Sequence, residues 1–213
     1  ERSEQEMRKT KVLQLITHLG FGGASDNTLL TVEHLSRANY EVHIAAGQDY
    51  MDWVERGRSC ADALFLFPDM RRSPHPLADM RVLRQLETFI REQGYDIVHT
   101  HNAKAGVVGR IAARRAGAPI VLHSMHLLSW QDAHAQADGL AKRALAAAQQ
   151  QVYLRLERYA AKLSDALIMV CESNRQEAIA AGLAPAEKIS TIYSGIEFGR
   201  FQQPVDRAAK CRE

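Results

Sequence analysis

Short apolar runs that alternate with helical segments constrain the fold of this chain more than any other feature. Helical spacing of apolar residues fills the segments 25–37, 78–93, 104–116, 140–163 and 173–181. The runs are mostly continuous, which is typical of strands covered on both faces. Alternation of such strands with helices indicates βαβ units and therefore an α/β fold with a parallel sheet. The predicted strands are Lys11–Thr17, Glu41–Ala46, Ala63–Phe67, Asp96–Thr100, Pro119–His123 and Ala166–Val170, followed by a seventh at Ile189–Tyr193.

Several helix boundaries have a local signal. Gly94 follows an apolar stripe and is predicted to end one helix, and Gly117 is predicted to end the next. Ser173 has Gln176 three residues later, which is the spacing of a capping box. This spacing predicts that the sixth βα unit has a helix that begins at Ser173 and runs to Gly182.

Charge and hydropathy narrow the classes of partner. The 213 residues contain 27 Lys+Arg and 25 Asp+Glu, a net charge of +2, so nucleic acid is not expected as a partner. No apolar run reaches the roughly 18 residues of a membrane span, and the chain does not open on a signal-peptide pattern. We therefore expect a cytoplasmic protein. Residues 1–10 are mainly polar and are predicted to form a disordered tail.

Five of the nine histidines follow the ends of three predicted strands. Carboxyl ends of parallel strands meet at one edge of a sheet, where ligands bind, so these side chains are expected to lie together. His99 directly follows two apolar residues and is interpreted as a buried core residue. A zinc site would need a carboxylate or a further ligand at recognisable spacing, so no metal is expected. These histidines are His18, His99, His101, His123 and His126.

A glycine cluster, G-F-G-G-A-S at residues 20–25, follows the first predicted strand. Ser25 stands where a dinucleotide fingerprint has its third glycine, and no P-loop Lys-Ser/Thr follows, so neither motif is present. The cluster could bring backbone N–H groups and a helix N-terminus to an anion. It could equally be a plain turn with Ser25 or Asp26 as the helix cap. The loop by itself leaves both interpretations open.

Six blocks in order carry a resemblance to a known family. They are K-V-L-Q-L-I-T-H-L-G-F-G-G-A, R-R-S-P-H-P-L-A-D, Y-D-I-V-H-T-H-N-A-K-A-G-V-V-G-R, V-L-H-S-M-H, V-C-E-S-N-R and I-Y-S-G-I-E-F-G-R-F. Together they resemble the N-terminal domain of family 4 GT-B glycosyltransferases. The resemblance implies a Rossmann-like, doubly wound parallel sheet over 11–195, the N-terminal half of a GT-B fold. Residues 196–213 would begin a linker to a C-terminal domain that this chain lacks.

The same resemblance implies an activity. It is metal-independent transfer of a sugar, with retention of configuration, from a nucleotide diphosphate sugar to a glycan or lipid-linked acceptor, with no cofactor. Because the donor domain is expected to lie elsewhere, this chain alone should show little transfer. Two other functions stay open: a non-catalytic sugar- or lipid-binding module of the same fold, and a nucleotide-sugar epimerase.

Site residues also come from the resemblance. Gly22 and Gly23 match the glycine pair that approaches the donor phosphates and the acceptor, and His126 matches a histidine near the transferred sugar, which makes it the predicted catalytic residue. His101 is grouped with the predicted donor- and acceptor-binding residues. Lys104 either faces an anionic group or is a solvated lysine in the first turn of a helix.

Two more residues complete the predicted site. Arg72, with Pro76 and Asp79 at matching spacing, resembles a basic residue that lines the cleft. Glu172 either contacts the acceptor or caps the helix that follows it.

The segment 140–163 is predicted to be a helix with one apolar stripe against the sheet. Its basic residues, Lys142, Arg143, Arg155, Arg158 and Lys162, would then face solvent. The resemblance adds the hypothesis of peripheral contact with the anionic inner face of the cell membrane, where lipid-linked acceptors lie. The stripe consists of Leu145, Val152, Leu156, Tyr159 and Leu163.

Overall fold

A computed structural model describes residues 8–47, 51–128 and 140–202 of the chain. These residues form one seven-stranded parallel sheet with helices between successive strands. The strands are β1 (Thr10–His18), β2 (Tyr40–Gly47), β3 (Ala63–Leu66), β4 (Ile97–His101), β5 (Ile120–Met125), β6 (Ala166–Met169) and β7 (Ile189–Thr191). The helices are α1 (Gly23–His34), α2 (Met51–Cys60), α3 (Pro76–Gln93), α4 (Ala103–Ala116), α5 (Leu140–Lys162), α6 (Glu172–Ala180) and α7 (Phe198–Phe201).

The strand order is β3-β2-β1-β4-β5-β6-β7, and every pair is parallel. Because the order reverses between β1 and β4, the carboxyl ends of these two strands border the crevice where doubly wound sheets bind ligands. The predicted Rossmann-like α/β fold is confirmed. All seven predicted strands are present, although β1 already begins at Thr10 and Arg8 contacts Asp96.

Both faces of the sheet are covered by apolar side chains. Leu13, Leu15 and Val98 belong to the cluster beneath α3 and α4, and Val12 and Ile44 belong to the cluster beneath α1 and α2. Helix α4 lies very close to the sheet. A Cβ on its Gly109 would come within 2.3 Å of Leu15, and one on Gly106 within 2.5 Å of His123. This close packing fixes the N-terminus of α4 at the edge of the crevice.

The helix ends match the sequence signals in two cases and differ in one. Gly94 and Gly117 end α3 and α4 in the left-handed conformation, as predicted. The predicted capping box at Ser173 is wrong, because α6 already begins at Glu172 and Cys171 is the cap residue. Sγ of Cys171 lies 3.2 Å from Oγ of Ser173. The carboxylate of Glu172 in the first turn suits the positive end of the helix instead.

Helix α2 was not predicted from the sequence. Its segment M-D-W-V-E-R-G-R-S-C is mostly polar: Val54 and Gly57 are buried, and Trp53 and Cys60 are partly buried against the core, so its apolar face is short. A Cβ at Gly57 would lie 2.7 Å from the side chain of Leu64. The absence of a side chain at Gly57 therefore lets α2 approach the sheet closely. A glycine that normally weakens a helix is therefore kept here for close packing.

The predicted buried face of α5 is wrong. Leu145, Val152, Leu156 and Tyr159 are exposed by 70%, 55%, 44% and 51%, so most of the predicted stripe faces outward. The face that packs on the domain consists of smaller residues and one carboxylate, namely Ala146, Leu154, Glu157, Ala160 and Ala161. Glu157 is tolerated there because it forms a 2.5 Å ion pair with the fully buried Arg110 of α4. No helix among the described residues is long and apolar enough to cross a bilayer.

Candidate active site

A cleft of about 890 Å³ opens at the carboxyl ends of the central strands. This volume lies within the usual range for a small-molecule site. Its walls come from the glycine loop, the segment before α3, the N-terminus of α4, the end of β5 and one side of α5. Five of the seven predicted site residues line it: Gly22, Gly23, Arg72, Lys104 and His126.

The glycine loop is held in place by its own backbone and one hydroxyl. Gly22 has φ 142 and ψ 155, a conformation open essentially to glycine alone, and it is the N-cap of α1. Ser25 is buried, and its Oγ accepts a hydrogen bond of 3.1 Å from the N–H of Gly20. Ser25 and Asp26, the predicted caps, both lie inside α1, so that prediction is wrong.

Gly23 has no structural need to be glycine. Its φ is not positive, and a Cβ added to it would meet no heavy atom within 4 Å. It is the first residue of α1 and lines the cleft. The N–H groups in the first turn of a helix have no partner within the helix, so this end of α1 can bind an anion that approaches over Gly23.

Two cations lie on the neighbouring wall. Arg72 is exposed. Lys104, in the first turn of α4, forms a 2.7 Å ion pair with Asp79 and donates a second hydrogen bond to the carbonyl of Ser73. Asp79 also accepts a 3.0 Å hydrogen bond from the N–H of His75, the cap of α3. Lys104 therefore anchors the segment that carries Arg72 and adds positive charge to the cleft.

A third wall is made by histidine. The Nε2 atom of His126 lies 3.2 Å from Nδ1 of His101, whose own Nε2 lies 2.7 Å from Oε1 of Gln14. Burial lowers the pKa of His126 to about 4 and that of His101 well below its usual value. Both rings are therefore neutral at pH 7. His101 is fully buried and does not line the cleft, and it contacts the lining through His126.

Of the remaining histidines of the cluster, His99 and His123 are buried, although His123 also lines the cleft, and His18 lines the cleft at the end of β1. His99 is buried and lies 2.8 Å from the hydroxyl of Ser124, which confirms its interpretation as a core residue. His123 packs beneath α4, and its Nδ1 lies 2.9 Å from the hydroxyl of Thr100. Burial lowers the pKa of His123 well below its usual range. In the part of the chain that the structure describes, no group of three or more His, Cys, Asp or Glu side chains could hold a metal ion.

Glu172 lies outside the lining of the cleft. Its carboxylate accepts hydrogen bonds from Thr191 at 2.6 Å and from Arg175 at 3.1 Å. These hydrogen bonds lower the pKa of Glu172, and the one from Thr191 has the larger effect. The geometry agrees with a role at the N-terminus of α6. Contact with the acceptor remains a prediction without support from the cleft.

Sequence reasoning missed several lining residues. Asn102 is the one described non-glycine residue with a positive φ, 64°, and it is the N-cap of α4. Its ψ of 161° places it in a region that is essentially restricted to glycine, so the residue type gave no signal of this strained turn. Phe21, Gln149 and Tyr153 also line the cleft. The last two come from α5, whose orientation the sequence pattern misassigned.

Solved structures share this architecture. Sucrose-phosphate synthase from Thermosynechococcus elongatus superposes with a TM-score of 0.69 at 17% identity, over 97% of this chain and 53% of that chain. UDP-GlcNAc 2-epimerase from Neisseria meningitidis has a TM-score of 0.55 at 13% identity, over 85% of this chain and 46% of that one. The fold and the cleft at the strand ends thus define a Rossmann-like N-terminal domain of the GT-B class.

The sequence assigns the family within that class. The model of the glycosyl transferase 4-like domain matches residues 22–195, and the chain belongs to this family. It is 32% identical over 159 residues to the Escherichia coli UDP-Gal:alpha-D-GlcNAc-diphosphoundecaprenol alpha-1,3-galactosyltransferase. That match covers 75% of this chain and 36% of the relative, so the chain spans much less than the full length of that enzyme.

Proposed function

We propose that this domain forms the acceptor side of a retaining glycosyltransferase, which moves a sugar from a nucleotide diphosphate sugar to a glycan or lipid-linked acceptor. The observation that carries the proposal is the division of the cleft into two chemical walls. One has an open helix N-terminus at Gly23 with Arg72 and Lys104, and the other has the neutral histidine His126.

The positive wall suits the leaving group. When the bond between the anomeric carbon and the diphosphate breaks, a bond to the acceptor oxygen forms. Negative charge develops on the departing diphosphate, which can take up the proton of the acceptor hydroxyl. A helix N-terminus and nearby cations stabilise that charge without needing a metal ion. Arg72 is the cation that is free to move towards it, while Lys104 is restrained by Asp79.

The carboxylates of the cleft do not suit hydrolase chemistry. Glycosidases use two carboxyl groups that flank the scissile bond. The two carboxylates that line this cleft, among the residues described, are Asp79 and Glu157, and each is held in an ion pair, with Lys104 and with Arg110. This arrangement supports transfer through charge stabilisation rather than through a carboxylate nucleophile.

The acceptor would enter along α5. Gln149, Tyr153 and Leu156 of this helix line the cleft, and Leu156 also belongs to the exposed apolar stripe with Leu145, Val152 and Tyr159. A sugar in the cleft could therefore be attached to a lipid that lies along the stripe. The name of the E. coli relative, which specifies a diphosphoundecaprenol acceptor, supports this class of acceptor. We propose that the stripe and its flanking basic residues rest on an anionic membrane surface.

A second domain would hold most of the donor nucleotide. This part of the proposal rests on the resemblance and on the share of its relatives that the chain spans. The predicted linker starts at residue 196, and the short helix α7 lies within it. Residues 203–213 of that prediction lie outside the described part of the chain.

Ligand binding by the full-length protein tests the proposal. Thermal unfolding is followed with UDP-, GDP- and ADP-sugars, with the matching free sugars as controls. A nucleotide diphosphate sugar at a hundred times its dissociation constant should stabilise the protein by about 2.7 kcal/mol, whereas free sugars should not. Protection by none of these donors would contradict the proposal.

The alternative of an epimerase shares the fold but is less well supported. The solved epimerases, at 12–16% identity, are as distant from this chain as the solved glycosyltransferases, at 14–16%, so the structures do not separate the two functions. The sequence relatives are named as glycosyltransferases, and the E. coli relative is 32% identical. An epimerase would change the sugar of the nucleotide donor without any acceptor. A non-catalytic binding module would bind the sugar ligand and release no nucleotide.

A further inference from the structure

The chain of contacts behind His126 determines which of its ring nitrogens carries hydrogen. Gln14 lies near the middle of β1, is 2% exposed, and pairs in register with His99 of β4. Its Oε1 is 2.7 Å from Nε2 of His101. An amide oxygen only accepts hydrogen bonds, so Nε2 of His101 must donate. A neutral imidazole has one N–H, and Nδ1 of His101 is then an acceptor.

The second contact carries this constraint to the cleft. Nδ1 of His101 is 3.2 Å from Nε2 of His126, so the His126 nitrogen must be the donor. Its Nδ1 is left as a lone pair, and no described residue forms a hydrogen bond with it. Since His101 is fully buried and neutral, the arrangement cannot relax by taking up a proton near pH 7.

We propose that Gln14 and His101 are positioning residues that hold His126 in the Nε2–H tautomer, so that its Nδ1 accepts a hydrogen bond from a substrate hydroxyl. The hydroxyl belongs to the transferred sugar or to the acceptor sugar, and this part rests on the proposed function. The opposite tautomer would present an N–H and would favour a phosphate oxygen. The relay thus makes this wall of the cleft selective for hydroxyl groups and leaves the phosphates to α1, Arg72 and Lys104.

His123, on the other face of β4 and β5, also has a ring nitrogen that can accept a hydrogen bond. The Nδ1 atom of His123 lies 3.1 Å from the carbonyl of Thr100, which can only accept, so this nitrogen must be the donor. Nε2 of His123 is then also a lone pair, and His123 lines the cleft. His123 and His126, two of the three described histidines that line the cleft, therefore have acceptor nitrogens, although they reach that state through opposite tautomers.

The first test is the nitrogen spectrum of the full-length protein labelled with ¹⁵N-histidine at pH 7, without substrate. We expect His126 to have a protonated Nε2 and an unprotonated Nδ1, with its signals assigned by their loss in His126→Gln. A protonated Nδ1 on His126 would overturn the proposal. This readout does not depend on sugar transfer. The expected tautomer in a protein that transfers no sugar would therefore leave the relay intact and count against the proposed function and the hydroxyl contact.

Variants then separate positioning from structural support. Gln14→Leu removes the acceptor for His101, and His101→Phe removes the acceptor for His126 while keeping a ring. Each should give mixed His126 tautomers and about a tenfold loss of kcat/KM, the size of one hydrogen bond to the substrate. The matched control is Tyr95→Phe, which removes the hydroxyl 2.8 Å from Nδ1 of another buried histidine, His43. It should change neither quantity.

Two results in folded variants would overturn the relay. One is an unchanged His126 tautomer with a reduced kcat/KM, which would make the support merely structural. The other is a mixed tautomer with an unchanged kcat/KM, which would remove its role in the reaction. If one variant does not fold, the other variant and the wild-type spectrum decide whether Gln14 and His101 hold the His126 tautomer.

Discussion

At the scale of single residues, the two adjacent glycines of the loop have different reasons to be glycine. Gly22 has a backbone conformation that other residues rarely adopt, whereas Gly23 has an ordinary conformation and open space around it. The structure of the domain therefore explains Gly22. Gly23 has no such requirement, which agrees with our proposal that a ligand approaches the first turn of α1.

Alanine substitutions distinguish these two reasons. Gly23→Ala should leave the free energy of unfolding unchanged or raise it by up to about 1 kcal/mol, because alanine favours helix over glycine. It should nevertheless raise the KM for the donor or lower kcat, because the methyl group projects into the cleft. Gly22→Ala should destabilise the protein by about 1–3 kcal/mol through backbone strain. Chemical denaturation and steady-state kinetics measure both effects, and full activity of Gly23→Ala would contradict the assignment.

The buried histidines predict how stability depends on pH. Burial lowers the pKa of His99 and of His126 to about 4, from an ordinary value of 6.5, and the neighbouring His126 adds to the effect on His99. Between these values the unfolded chain binds protons that the folded chain does not. Stability that is present above pH 6.5 is therefore lost as the pH falls through about 4.

Denaturation midpoints measured from pH 7 to 5 test this dependence. Each histidine can contribute at most about 1.4 kcal/mol per pH unit. His99→Gln keeps a polar partner for Ser124 and removes one such site, so its free energy of unfolding should fall less steeply than that of the wild type. Equal slopes for the two proteins would show that His99 is not the source.

At the scale of elements, the strands were predictable and the helix faces were not. A continuous apolar run such as A-L-I-M of β6 indicates a strand that is covered on both faces, and recognising it requires no knowledge of the partner strands. Helix α5 instead buries alanines and Glu157, and the carboxylate is acceptable only because Arg110 of α4 meets it. That pairing joins residues that are 47 positions apart, so no local pattern contains it.

Long-range contacts also limited how much of the candidate site could be predicted from the sequence. Strand ends grouped the histidines correctly, because parallel strands share one carboxyl edge. The sequence did not predict Gln14 as a residue near the site, because its contact with His101 depends on how β1 and β4 are paired. Long-range register therefore determines which polar residue in a strand belongs to the site.

The exposed stripe of α5 predicts binding to anionic vesicles. The double variant Arg155→Glu with Lys162→Glu should weaken sedimentation with phosphatidylglycerol-containing vesicles by tenfold or more, because each basic residue near such a surface contributes about 1 kcal/mol. Both residues are exposed. Arg158 is a poorer target because it donates a hydrogen bond to the carbonyl of Ala181.

The matched control carries the same change of charge on other helices. Arg84→Glu on α3 with Arg115→Glu on α4 alters two exposed residues away from α5. This protein should sediment with the vesicles like the wild type. If both double variants bind equally well, α5 is not the membrane surface.

At the scale of the whole molecule, the described elements meet at one cleft. The sheet places α1 and α4 with their N-termini at the cleft, the segment before α3 adds cations, and α5 adds an apolar flank. A glycosyl transferase 4-like domain with this layout is expected to bind a diphosphate at one wall and a sugar acceptor at the other.

The most direct measurement is transfer by the full-length protein from UDP-, GDP- and ADP-sugars to a polyprenyl diphosphate-linked sugar, with EDTA present and the anomeric configuration of the product determined by NMR. We expect one donor class to give a product with retained configuration, and Gly23→Ala to reduce the rate while the protein remains folded. An inverted product, or conversion of the nucleotide sugar without transfer to the acceptor, would contradict the account.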